Sequence, residues 1–142
     1  MSTEDLTEQQ QSLLKIVAGL VPATAGQVGR ALGELSMDLQ RLTDQLAEAD
    51  EEATRLTEDY GLAYDMAFIE AGEGSKPVSI AIREATARIE TAQLRLDMEV
   101  AKLRVRQLKN AHKTLDRRID VGRTCAATVR SEHRTIGYGG GA

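Results

Sequence analysis

Apolar residues recur at alternating steps of four and three over two long stretches of this chain. The first stretch runs from about Gln27 to Glu70, with Val28, Leu32, Leu35, Leu39, Leu42, Leu46, Ala49, Ala53, Leu56, Tyr60, Ala63 and Ala67 in phase. The second follows Pro77, and from Leu94 it reads Met98, Ala101, Val105, Leu108, His112, Leu115, Ile119, Gly122, Ala126 and Val129. Such spacing lays one narrow apolar seam along a helix, the a and d positions of a coiled coil. The pattern predicts two long helices, the second continuous from Val78 to His133. Gly122 weakens that helix by about 1 kcal/mol without ending it.

Between the stretches, Ala71-Gly72-Glu73-Gly74-Ser75-Lys76-Pro77 reads as a turn. Gly72 is the candidate left-handed C-cap, Ser75 the candidate N-cap, and Pro77 opens the next helix at its first turn. So short a link holds the two helices side by side and antiparallel, seams facing. At about 1.5 Å per residue, the forty residues of the first helix span roughly 60 Å. The expected fold is all-α, a long antiparallel helical hairpin of coiled-coil type.

Two features ask for further partners. Leu62, Met66, Phe68 and Ile69 widen the stripe near the end of the first helix. Ile82, Ala85, Ile89, Ala92, Leu96 and Leu103 trace a second line beside the seam of the other helix. One antiparallel partner cannot cover both lines, so a homo-oligomer is expected.

Ahead of the hairpin, Leu6, Leu13, Ile16, Val17 and Leu20 share one helical face, with Ser2, Thr3 and Asp5 as N-cap candidates. A short amphipathic helix is expected over about 5–20, ended by Pro22 and the small residues after it. Its polar face lacks the Lys and Arg of membrane-surface helices. The organisation expected is residues 1–25 as this helix and linker, 26–135 as the hairpin, and 136–142 as a flexible Gly-rich tail.

Composition narrows the class. The 142 residues are 3% aromatic and contain no tryptophan, so Leu and Ala must build the core. Cys125 is the lone cysteine, which excludes an internal disulfide. The acidic N-terminus is not a signal peptide, and no run of about 18 apolar residues predicts a membrane span. A soluble cytoplasmic protein is expected.

Charge divides the chain. Residues 1–75 carry fifteen acidic side chains against four basic ones, net −11; residues 76–100 balance; residues 101–142 carry ten basic against three acidic, net +7. Segregation of this kind points to an internal charge match or an anionic partner.

No candidate chemistry assembles. His112 and His133 are about 30 Å apart on one helix, too far to share a metal, and His112 is better read as a polar residue that sets seam register. Cys125 lacks an activating base and reads as a small hydrophobe. Glu51-Glu52 and Glu58-Asp59 lie on an exposed face, without the apolar pocket that raises a catalytic pKa. Gly72-Glu73-Gly74-Ser75-Lys76 lacks phosphate-loop spacing. No enzyme activity, metal or cofactor is expected.

The basic run remains. Lys109, Lys113, Arg117, Arg118, Arg123, Arg130 and Arg134 are candidate phosphate contacts through charge and guanidinium hydrogen bonds. The plain alternative is a solvated face partly paired with Asp38, Asp44 and Glu48 of the first helix. Stacking aromatics are absent there except for Tyr138.

Tyr60-Gly61-Leu62-Ala63-Tyr64-Asp65-Met66-Ala67-Phe68, the Gly-containing turn, Ile89-Glu90, Leu96, Leu103 and Leu115-Asp116-Arg117-Arg118-Ile119-Asp120 together resemble small, wholly helical phage-encoded proteins. In plan the chain is similar to the UvsY recombination-mediator family of T-even phages. The resemblance covers roughly residues 40–134 and rests on layout. It implies a ring-like oligomer that binds single-stranded DNA and helps load a recombinase past single-strand-binding protein, in the host cytoplasm. That family's basic motif precedes its central break. Here the basic cluster follows the break, so no contact residue carries over by position.

The leading expectation is a non-enzymatic, oligomeric accessory protein that binds single-stranded DNA in recombination or replication, with itself, a recombinase or a single-strand-binding protein as partners. The alternatives are a structural coiled-coil or assembly-chaperone protein that binds only protein, and a phage inhibitor whose acidic face mimics nucleic acid. The hairpin itself rests on Leu35, Leu39, Leu42, Leu46, Leu56 and Tyr60 facing Leu94, Met98, Val105, Leu108, Leu115 and Ile119.

Overall fold

The computed structural model describes Gln11 and residues 24–138. Among these residues there is no strand, and three helices follow in order: α1 (Ala25–Ala71), α2 (Ile80–Glu90) and α3 (Ala92–Tyr138). α1 and α3 pack against each other, which makes the fold an all-α helical hairpin. Gln11 is helical. The rest of the helix expected over 5–20 lies outside the described residues, as do positions 139–142 of the expected tail. Two compact units divide the hairpin. One contains residues 24–43 with 111–138, and the other residues 44–110. They are called here the termini unit and the turn unit.

α1 opens on a reciprocal cap. The Gln27 N–H donates to Thr24 Oγ1 at 3.2 Å, and the Thr24 N–H donates to Gln27 Oε1 at 3.0 Å. Two N–H groups that the helix start leaves without partners are satisfied in this way. In the termini unit, Ala31 and Leu35 of α1 form a buried cluster with Leu115 and Ile119 of α3, and Leu32, Leu39 and Leu42 pack against it. Leu35 is 1% exposed and Ile119 2%. Gly122 is buried in the same seam. His112 sits at its edge, half-buried. The Thr43 hydroxyl donates to the Leu39 carbonyl at 2.9 Å, and its oxygen accepts from His112 Nε2–H at 3.3 Å. That hydrogen bond joins the two helices at a defined register.

The turn unit has smaller residues on the α1 side. Ala49 and Ala53 are buried against Val105, with Leu46, Ala101 and Leu108 around them. Ala67, Ala87 and Met98 are also buried. Leu56, Tyr60, Leu94 and Leu108 are half-buried. Six members of the second apolar line, Ile82, Ala85, Ile89, Ala92, Leu96 and Leu103, are exposed.

The second helix is not continuous from Val78 to His133. It starts at Ile80 and is interrupted at Thr91. Thr91 is the buried polar residue of this region, 3% exposed, and its hydroxyl donates to the Ala87 carbonyl at 2.6 Å. The Thr91 N–H bonds the same carbonyl at 3.0 Å. Two donors thus meet one carbonyl oxygen at the interruption. The other helix boundaries also differ from expectation. α3 runs to Tyr138, so 136–138 are helical rather than tail.

The turn differs from the expected one in three details. Ser79, not Ser75, caps α2, its Oγ accepting from the Ile82 N–H at 3.3 Å. Pro77 therefore lies ahead of the helix. The positive φ belongs to Gly74, at 153°, not to Gly72. α1 instead closes with tighter bonds, Gly72 N–H to the Ile69 carbonyl and Glu73 N–H to the Glu70 carbonyl. The Phe68 carbonyl is taken by Arg83 Nε at 3.1 Å. The same guanidinium lies 4.2 Å from the Phe68 ring centroid. It also fills the space beside Gly72, where a Cβ would stand 2.5 Å from Arg83 Cζ. A cation at this place complements the negative end of the α1 dipole.

Two stability outcomes follow from this packing. Leu35→Ala should cost about 3 kcal/mol in urea unfolding, because it empties a closed site, whereas Met37→Ala, exposed one turn-face away, should stay within about 0.5 kcal/mol. Arg83→Met should cost about 1–2 kcal/mol through loss of the cap and the ring contact, with helix content by circular dichroism almost unchanged.

Candidate nucleic-acid interface

The cations of α3 are positioned by the seam they avoid. With Leu115, Ile119, Gly122, Ala126 and Val129 turned toward α1, a side chain two residues from a seam position points away from it. Lys113, Arg117, Arg123, Arg130 and Arg134 are exposed in the termini unit. Lys113 and Arg117 are one turn apart, as are Arg130 and Arg134, so each pair shares a face over about 6 Å of helix. Arg118 differs. It precedes Ile119, is half-buried, and lies against the seam rather than on the free face. Lys109 is exposed but belongs to the turn unit. The structure thus groups five of the seven candidate cations on open surface of the termini unit, with Arg118 at its inner margin.

Ion pairing does not consume this charge. Arg123 approaches Asp120 at 3.5 Å, and Arg130 Nε donates to the Ala126 carbonyl at 3.2 Å. Lys113, Arg117, Arg118 and Arg134 have no ion pair among the described residues. On α1, Asp38 is engaged by Arg41 of its own helix at 3.3 Å. Residues 24–43 carry two acids and two bases, and residues 111–138 carry six bases and three acids, so the described residues of this unit are net +3. The turn unit, residues 44–110, carries fourteen acids and nine bases, net −5.

The acidic stretch keeps its one α1 cation for itself. Arg55 donates three times to Glu52, at 2.8, 2.9 and 3.1 Å, and once to Asp59 at 3.1 Å. The hydrogen bonds to Glu52 first, then its charge and that of Asp59, hold the Arg55 guanidinium above its ordinary pKa, and desolvation opposes this. Glu52 and Asp59, two of the paired carboxylates, are thus bound to arginine. Glu51 and Glu58 are exposed.

A groove of about 510 Å³ runs between α1 and α3 in the turn unit, floored by Ala49, Leu56, Leu96, Val100 and Ala101 and rimmed by Glu48, Glu52, Asp97 and Arg104. Its ionisable groups are exposed, and no nucleophile lies in it. Among the described residues no group of three or more His, Cys, Asp or Glu could hold a metal ion. Cys125 is a free, half-buried thiol. No described helix is long and apolar enough to cross a membrane.

Sequence reading did not single out Arg83, Thr91 or the Thr24–Gln27 cap. The Thr24–Gln27 spacing is a signal that could have been read, since a hydroxyl three residues before Gln is the capping-box pattern. Arg83 reaches Phe68 across the turn, and no local periodicity encodes that contact. Comparison with protein-family models, with curated proteins and with solved structures returned no match.

The difference between Arg117 and Arg118 is testable without any ligand. Arg118→Ala should lower stability by about 1 kcal/mol, since its aliphatic stem covers the seam, while Arg117→Ala should stay within about 0.5 kcal/mol. Thermal unfolding of the two variants checks the ranking.

Proposed function

We propose that this protein is a non-enzymatic helical-hairpin accessory protein that binds single-stranded DNA in recombination or replication. The observation that carries the reading is the open basic face of α3 in the termini unit, where Lys113, Arg117 and Arg134 are exposed without ion pairs among the described residues. Phosphates need no pocket, and a helix surface with cations at one-turn intervals suits a flexible anionic strand. The similarity in plan to phage recombination mediators supports the nucleic-acid class and a phage origin, with a recombinase or a single-strand-binding protein as further partners. Base identity is not read, because the face presents only charge.

A second reading is favoured by a different observation. The exposed apolar line of α2 and α3 fits a coiled-coil or assembly protein with protein partners alone. Filter binding of a labelled oligonucleotide at two salt concentrations separates the two. DNA binding predicts a log–log salt slope near −0.7 per phosphate neutralised. Lys113→Glu with Arg117→Glu should lower both affinity and slope, by roughly one contact each, with unchanged helix content. No retention at low salt overturns the nucleic-acid reading.

A further inference from the structure

Ile82, Ile89, Leu96 and Leu103 stand seven residues apart on α2 and α3, and all four are exposed, Ile89 at 77%. Ala85 and Ala92 lie between them at three-four spacing and are exposed too. These positions trace a second coiled-coil line, with Glu99 standing between Leu96 and Leu103, and it is uncovered among the described residues. Its flank is basic. Arg88, Arg95 and Lys102 each precede one of the large apolar residues and are exposed. Arg88 reaches Glu84 only at 3.6 Å and Lys102 reaches Glu99 only at 4.0 Å, each within its own helix.

The same turn unit carries a second uncovered apolar face, on α1. Leu62, Met66 and Ile69 follow four-three spacing and are all more than half exposed. Here the flank is acidic: Glu58, Asp65 and Glu70 are exposed around the three apolar side chains. The two faces therefore match in apolar spacing and oppose in charge.

We infer that the acidic-flanked Leu62–Met66–Ile69 face of one copy docks on the basic-flanked Ile82–Leu103 row of a second copy. Row against row does not answer the charges. Antiparallel, it sets the Arg88–Lys102 flank against itself; parallel, it sets that flank against Gln93 and Val100. The α1 face against itself opposes carboxylates. Only the unlike pairing buries the α1 face on part of the row while placing Arg and Lys beside Asp and Glu. A contact between unlike surfaces is made reciprocally in a pair or repeated head to tail, and either places more than one chain in the assembly. It involves none of the candidate phosphate contacts and needs no nucleic acid.

Sedimentation velocity of the full chain at tens of micromolar, without DNA, tests the contact. The expected species is heavier than the 15.4 kDa monomer. Ile89→Glu should release monomer with helix content intact, since that side chain is 77% exposed. Arg88→Glu with Arg95→Glu should release monomer, and so should Asp65→Lys with Glu70→Lys. All four substitutions in one chain should restore association. A monomeric wild type overturns the proposal, as do association that survives both reversals and a fourfold variant that stays monomeric. Because no oligonucleotide is present, these results are independent of filter binding.

Discussion

A two-helix hairpin can bury only one stripe on each helix, and this constraint governs the whole molecule. The a and d side chains of α1 and α3 face each other, with Ala31 buried beside them, and most other positions are surface. With aromatics at 3%, burial depends on Leu, Ala, Val and Ile in a narrow line. The termini unit meets the demand with Leu35, Leu115 and Ile119. The turn unit does so with Ala49 and Ala53 against Val105. Small residues on one side let the helix axes approach, so that one larger residue opposite fills the space.

Because the stripe is narrow, polar groups near it must be accounted for individually. Thr91 lies in the seam and bonds back to Ala87, and the helix breaks there. His112 lies in the seam and bonds across to Thr43. One polar seam residue turns inward on its own helix and the other outward to the partner helix. That difference separates a contact within one helix from a register lock. At the turn, Arg83 takes the place of the glycine C-cap expected at Gly72. Its guanidinium takes the freed Phe68 carbonyl and covers the ring, and Gly72 is needed for the space it leaves rather than for its backbone angle.

The two proposals rest on the surfaces left over. In the termini unit they are basic, on the free face of α3. In the turn unit they are apolar, bordered by acids on α1 and by bases on α2 and α3. A phosphate backbone suits the first kind of surface and a helical partner the second, and the two demands fall on different residues. The DNA-binding and protein-binding readings thus concern separate surfaces of one scaffold.

Hydrophobic period by itself determined the hairpin. The four-three spacing from Val28 to Ala67 and from Leu94 to Val129 names the residues that are buried or half-buried, because helical period is a local property written directly in the order of side chains. The division into an acidic and a basic half was also legible, since charge is simply counted. What only the tertiary structure decided are the points where one segment answers another. Arg83 reaches across the turn to Phe68, Ser79 rather than Ser75 begins α2, and Gly74 takes the positive φ. Each of these depends on distances between residues remote in sequence, or on which of several equivalent local options packing favours, and neither is contained in a periodicity.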